Sequence, residues 1–199
     1  MKSISQFLQG VLLAASVAFC GGASASVDTI ASIVPASASS QLGATFGLTV
    51  NIADVADLFA YNLSLNYDPT KVQFISVSEG GFLSNVNTTF FIEGVDNGVG
   101  RVEFSGTSLL GGDVGATGSG SLLEFLFKAS GAGNAAFSLT DAQFLDSAFN
   151  ELTVSLGSAV VAVNAVPEPS GATLLLVAAL ALLLARPGMA ARFGAGSRR

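Results

Sequence analysis

Apolar and polar positions alternate with a period of two through the middle of the chain and run unbroken near its two ends. Phe46, Leu48, Val50 and Ile52 are separated by Gly47, Thr49 and Asn51. Phe59, Tyr61, Leu63, Leu65 and Tyr67 are separated by Ala60, Asn62, Ser64 and Asn66. Successive side chains of a strand point to opposite faces, so each set predicts a strand with one buried and one polar face. Between Val72 and Val77 the apolar phase slips by one residue, as a β-bulge produces. Segments 88–93 and 99–105 flank Asp96-Asn97-Gly98, and an Asn-Gly pair suits the positive φ angles of a hairpin turn. Further strands are predicted over 122–128, 135–140 and 152–163, with Gly111-Gly112 and Gly118-Ser119-Gly120-Ser121 as punctuation. A short helical turn is expected near residues 81–85. Many short strands, frequent turn signals and no long amphipathic helix predict an all-β sandwich.

The two ends read differently. Met1-Lys2, an apolar run through Leu12 and Leu13 to Phe19, and the small-residue close Ala23-Ser24-Ala25 describe a secretory signal peptide over residues 1–25. At the other end, Val166-Pro167-Glu168-Pro169-Ser170 can neither continue a central strand nor lie deep in a helix. An apolar run, nearly all Leu, Ala and Val, follows over 172–185, ended by Arg186. As a helix this run is about 21 Å long, against a bilayer core of about 30 Å. Arginine snorkelling and local thinning close part of that gap, so a temporary membrane segment is expected. The chain thus divides into a leader (1–25), a β domain (26–165) and a C-terminal segment (166–199).

Composition sharpens this division. Half of the 199 residues are hydrophobic and 11% are charged, with the excess gathered in the end segments. Cys20, the one cysteine, falls inside the leader, and Phe19 is too bulky for a lipoprotein cleavage site. The mature chain then carries no thiol, which excludes disulfides and zinc-thiolate sites. A domain of about 140 residues buries enough surface to fold without them. Between residues 26 and 165 the cations are Lys71, Arg101 and Lys128, against thirteen acids from Asp28 to Glu151. Phosphate binding needs clustered Lys and Arg, so nucleic acid is not an expected partner.

Candidate chemistry is sparse. With no histidine anywhere and no thiol in the mature chain, His-based triads, cysteine nucleophiles and His-ligated metals are excluded. A carboxylate pair can cleave glycosides, but the acids fall mainly in turns and on polar faces. Gly115 to Gly120 lacks the Lys-Ser/Thr ending of a phosphate loop. No enzyme and no obligatory cofactor are expected. Asp54 with Asp57, and Asp141 and Asp146 with Asn150 and Glu151, supply the hard oxygens Ca²⁺ takes, without EF-hand spacing. Solvated acidic turns are the commoner reading. There is no Trp for sugar stacking, and Tyr61, Tyr67 and the phenylalanines read as core. Asn62, Ser64 and Asn66 form an outward polar row able to hydrogen-bond a glycan or a protein.

Two resemblances add to this reading. Val166-Pro167-Glu168-Pro169-Ser170, the apolar run and the arginines from Arg186 to Arg199 resemble a PEP-CTERM sorting signal. That resemblance implies recognition by an exosortase-type processing enzyme and release to the cell surface or matrix. Here Arg186 is followed by Pro187-Gly188-Met189, where that family usually places its basic cluster. The middle of the chain resembles cohesin-like modules. The matching stretches are residues 55–61 leading to Leu65-Asn66-Tyr67-Asp68-Pro69, Gly80-Gly81-Phe82-Leu83, residues 118–129, and Leu145-Asp146-Ser147. The resemblance implies a jelly-roll β-sandwich of about nine strands. Cohesins of cellulosomes bind dockerins, but a fold likeness does not carry a partner across. The expected function is a non-catalytic, exported cell-surface or extracellular-matrix protein that engages an extracellular protein. The alternative is a carbohydrate-binding module for extracellular polysaccharide.

Overall fold

The computed structural model of the chain describes residues 28–112, 114–165 and 171–184. The expected leader, the Val166-Pro167-Glu168-Pro169-Ser170 motif and Arg186 lie outside the described residues. Eleven strands occur among the described residues, against the nine expected. In chain order they are β1 (Ile30–Val34), β2 (Ser37–Gln41), β3 (Thr45–Tyr67), β4 (Val72–Glu79), β5 (Thr89–Ile92), β6 (Val95–Asp96), β7 (Arg101–Leu109), β8 (Ala116–Ala129), β9 (Gly133–Asp146), β10 (Ser155–Leu156) and β11 (Ser158–Asn164). The helical turn expected after β4 is α1 (Gly81–Ser84).

The two alternating segments that predict separate strands are one strand, the 23-residue β3. They are joined at Asp54 and Asp57, whose backbones turn left-handed with φ of 54° and 60°. Aspartate visits that region more readily than a β-branched residue does. Each turned residue withdraws its N–H from the ladder, and these N–H groups donate to the hydroxyls of Ser119 and Thr117, both at 3.0 Å. Those hydroxyls lie on β8. The Gly118–Ser121 turn expected from sequence is therefore strand, and its Ser119, with Thr117 before it, satisfies the bulged partner.

The bend places the two halves of β3 in different layers. Its first half pairs with β1 and β8, and β4 extends that layer beyond β8. Its second half pairs with β7 and β9. On one side β5 and β6 extend β7; on the other β11 and then β2 extend β9. The layers close on one apolar core. Phe127 of β8 meets Phe137 of β9 edge to face with centroids 5.1 Å apart, although these strands do not pair. Tyr67 packs on the same Phe127 at 5.3 Å, and Phe46 reaches Phe137 at 6.3 Å.

Tyr61 and Tyr67 are buried, as their alternation implies. The Tyr61 hydroxyl donates to the Leu122 carbonyl at 2.5 Å and lies 3.1 Å from the Thr107 hydroxyl. The Tyr67 hydroxyl donates to Asp96 at 2.8 Å. Burial pushes both phenols well above their ordinary range. The bulge in β4 falls between Phe74 and Ser76. Two expectations are corrected. Segment 152–163 is not one strand but β10 and β11, parted at Gly157. Nor are all the phenylalanines core: Phe90, Phe104 and Phe149 are 57%, 59% and 68% exposed.

Beyond the strands, α2 (Gly171–Leu184) is a 14-residue apolar helix. Its large side chains from Leu174 to Leu182 are exposed. At about 1.5 Å per residue it is some 21 Å long. No helix among the described residues is long and apolar enough to cross a membrane.

Candidate docking face

The outward face of the second layer is built by β5, β7, the second half of β3, and β9. Strand alternation turns Tyr61, Leu63, Leu65 and Tyr67 into the core and leaves Ala60, Asn62, Ser64 and Asn66 facing out. Both neighbours of β3 are bulged beside this row. The β7 register shifts between Leu63 and Leu65, and the β9 register between Asn62 and Ser64. At the bulges Phe104 and Asp141 take left-handed backbones, with φ of 59° and 45°. A bulky residue rarely adopts that conformation without compensation. In plain alternation Phe104 shares a face with buried Val102; the bulge swings it outward, next to exposed Glu103.

The bulges divide the face into two halves. On the polar half, Arg101 sits opposite Asn66, and its guanidinium crosses β3 to pair with Asp141. Its Nε also lies 3.8 Å from Glu103. This ion pair crosses β3 at the Asn66 end of the row. Ser64 is buried and its hydroxyl accepts the Phe104 N–H at 3.4 Å. Asn66 donates to the Thr140 hydroxyl at 3.2 Å, and Asn62 donates to Gln143 at 3.4 Å. The three residues expected to offer an open polar platform are thus largely engaged with their neighbours.

The other half is apolar and open. Phe90, Ile92, Phe104 and Leu145 surround a groove of about 130 Å³, with Ala60 and Gly106 also lining it. Gly106 is required there, because a Cβ would collide with the Tyr61 carbonyl and lie 2.9 Å from the Asn62 Cα. Sequence reasoning missed Phe90, Ile92, Phe104 and Arg101. One signal was available: Phe90-Phe91-Ile92 are consecutive, and one strand cannot bury three successive side chains on one face.

The aspartates singled out as calcium ligands are occupied by protein donors. The Asp57 carboxylate accepts from the Ser147 hydroxyl at 2.6 Å and the Gly115 N–H at 2.5 Å. The Ser147 hydroxyl, then the Gly115 amide, hold it below the ordinary aspartate range. Asp146 accepts from the Asn150 side chain and backbone at 3.0 and 2.7 Å and from the Ala148 N–H at 2.9 Å. The Asn150 side chain, then its amide, hold that carboxyl low as well. Asp141 belongs to the Arg101 pair, and Asp54 serves through its backbone. Asp57 and Asp146 lie near one another across β3 and β9, but among the described residues no group of three or more acids, histidines or cysteines could hold a metal ion.

Comparison with known proteins follows the same lines. A family model for the cohesin domain matches residues 31–162. No curated protein matches the chain. Among solved structures, a non-cellulosomal cohesin from the hyperthermophilic archaeon Archaeoglobus fulgidus is similar at 19% identity and a TM-score of 0.54, over 74% of this chain and 97% of its own. The third ScaC cohesin of Acetivibrio cellulolyticus, solved in complex with the ScaB dockerin, is similar at 20% identity and a TM-score of 0.55, over 68% of this chain and 98% of its own. A type II cohesin domain from the cellulosome of the same organism is similar at 16% identity and a TM-score of 0.55, over 67% of this chain and 95% of its own. At such identities the likeness establishes the fold.

Proposed function

Because the chain belongs to the cohesin domain family, we propose that it is a non-catalytic interaction protein that docks an extracellular protein partner on the outward face of β5, β7, β3 and β9. One observation carries the reading: Phe90, Ile92 and Phe104, each at least 40% exposed, converge on one groove. Exposed apolar side chains gathered in one place mark interaction surfaces, whereas scattered ones do not. The cohesin of Acetivibrio cellulolyticus solved with a bound dockerin supports a protein as the occupant. The polysaccharide alternative has less behind it, since Asn62, Ser64 and Asn66 are hydrogen-bonded to their neighbours and the groove is walled by Phe and Ile.

The test is saturable binding of the full chain to purified dockerin modules and to an extracellular protein fraction, beside a glycan panel. Phe90→Asp with Phe104→Asp should abolish protein capture while leaving the unfolding transition in place. Capture indifferent to both substitutions, or glycan binding lost with Asn62→Ala, overturns the assignment.

Delivery is the second part of the proposal. The leader over 1–25 exports the chain, and Val166-Pro167-Glu168-Pro169-Ser170, α2 and Arg186 form a sorting tail for an exosortase-type enzyme. The protein then reaches the cell surface or extracellular matrix. Helix α2 has no polar stripe, so no single apolar neighbour can cover it, and it calls for apolar surroundings on all sides. Its shortness suits a passing contact with a bilayer better than permanent anchorage. Mass spectrometry of the protein from its native envelope should find a C-terminus near Pro169. An intact end at Arg199 counts against the sorting tail.

A further inference from the structure

We propose that two copies of this chain join edge to edge through β2, antiparallel about a two-fold axis at Ser39, so that one sheet runs through both. The pairing uses the far edge of the layer, past β9 and β11, and stands apart from the docking reading above.

Hydrogen-bond direction comes first. Val160 donates its N–H to the Ala36 carbonyl at 3.0 Å, and Leu42 donates to the Asn164 carbonyl at 2.9 Å. Backbone groups alternate sides along a strand, so Ala36, Ala38, Ser40 and Leu42 face β11. Ser37, Ser39 and Gln41 turn their N–H and C=O groups the other way. Among the described residues no strand meets that side of β2. An unpaired edge is a template for another chain, and proteins usually blunt it with bulges, charge, proline or shortness. The other edges of this domain are blunted. β4 is bulged between Phe74 and Ser76, β5 and β6 are short and parted at Glu93-Gly94, and β10 has two residues. Over Ser37–Gln41 β2 carries neither charge nor proline, and its register with β11 is unbroken.

Charge and register name the occupant. The domain carries thirteen acids against three cations, so two copies repel over most of their surface. The β2 end is the exception: residues 37–41, 133–140 and 158–164 hold neither an acid nor a cation. A second copy meets least opposition there. With Ser39 opposite its own counterpart, Ser37 falls opposite Gln41 and Gln41 opposite Ser37. Each opposed pair exchanges both of its N–H···O bonds, giving about six across the seam. Every outward backbone group of β2 is then used. The two-fold axis stands perpendicular to the sheet, so both copies turn their β5, β7, β3 and β9 faces to the same side. An edge-joined pair thus offers two docking faces to one surface, and double engagement tightens the hold without any new contact.

The experiment compares variants of the full chain by sedimentation, in a mild detergent that covers α2. The parent should pass from monomer to dimer as concentration rises. Ser39→Pro removes an N–H that the domain's own ladder does not use, and edge strands tolerate proline at such a position. It should weaken the dimer roughly tenfold or more while the unfolding midpoint stays in place. Ser39→Lys sets two cations together at the axis and decides the matter if the proline variant fails to fold. Mixing it with Ser39→Glu should restore pairing. Register is read by cross-linking with a mild oxidant, after Cys20→Ser removes the other thiol. In the proposed dimer Ser39 and its counterpart lie about 5.5 Å apart between Cα atoms, within the roughly 4.4–6.8 Å that a disulfide spans. Ser39→Cys should therefore give a covalent dimer, whereas Ser37→Cys, roughly 14 Å from its counterpart, should not. A parent that stays monomeric to millimolar concentration, a dimer indifferent to Ser39→Lys, or equal cross-linking at the two positions overturns the inference.

Discussion

Truncating two phenylalanines of the same domain should have opposite consequences, and the contrast separates the core from the docking face. Phe104 holds a left-handed backbone and is 59% exposed. Replacing it with glycine removes a conformational penalty of about 1–2 kcal/mol. Its two-fifths of buried surface, at about 1.5–3 kcal/mol for full burial, is worth about 0.6–1.2 kcal/mol. Extra freedom of glycine in the unfolded chain costs about 0.5–1 kcal/mol more. These contributions leave Phe104→Gly within about 1 kcal/mol of the parent. Phe127 is fully buried and touches Phe46, Tyr67, Phe74, Phe125 and Phe137. Phe127→Ala should lose about 3–5 kcal/mol, a large part of the roughly 5–15 kcal/mol that holds an ordinary domain folded. Urea unfolding measures both, with the emission of buried Tyr61 and Tyr67 as the probe, since the chain has no Trp. A loss above about 2 kcal/mol for Phe104→Gly would refute the claim that this ring is held out for a partner rather than for the fold.

Two further predictions follow from particular contacts. Hydrogen bonds to the Asp57, Asp68 and Asp146 carboxylates hold all three below the ordinary aspartate value of 3.8. A depressed folded-state value gives stability that is present above that ordinary value and is lost as pH falls through the lower, folded one. The urea midpoint should therefore fall on acidification below about pH 4, and Asp57→Asn should flatten that decline. Gly106→Ala sets a methyl against the Tyr61 carbonyl and should cost about 1–3 kcal/mol by calorimetry, as overpacking does.

The legible parts of this chain were those where side-chain alternation and hydrogen-bond ladder agree. Tyr61 and Tyr67 sit where their spacing puts them, and the slipped phase after Phe74 is a real bulge. Reading failed where the backbone leaves the ladder and a side chain takes its place. Asp54 and Asp57 look like a loop between two strands, and Gly118 to Ser121 looks like a turn. Ser119 and Thr117 replace the missing ladder partners across sixty residues or more, a relation that no local pattern reveals. The docking face failed for the same reason. Residue type assigns Phe104 to the core, and only the bulge opposite Leu63 and Leu65 turns it outward. The acids named for calcium were expected in loops, but Asp54 and Asp57 lie in β3 and Asp141 and Asp146 in β9. The carboxylates of Asp57, Asp141 and Asp146 are taken by Ser147 and Gly115, by Arg101, and by the turn at Asn150.

The pairing of β2 with β11 has a mechanical meaning. These strands run parallel, and five residue pairs from Val160–Ser37 to Asn164–Gln41 join them. Tension applied between the segment before β2 and the segment after β11 pulls along the strands in opposite senses. The rungs of that ladder then resist in shear, all together, instead of opening one by one as a zipper would. A module wired this way keeps its shape under traction, and a partner holding its face can be hauled without first unravelling what it grips.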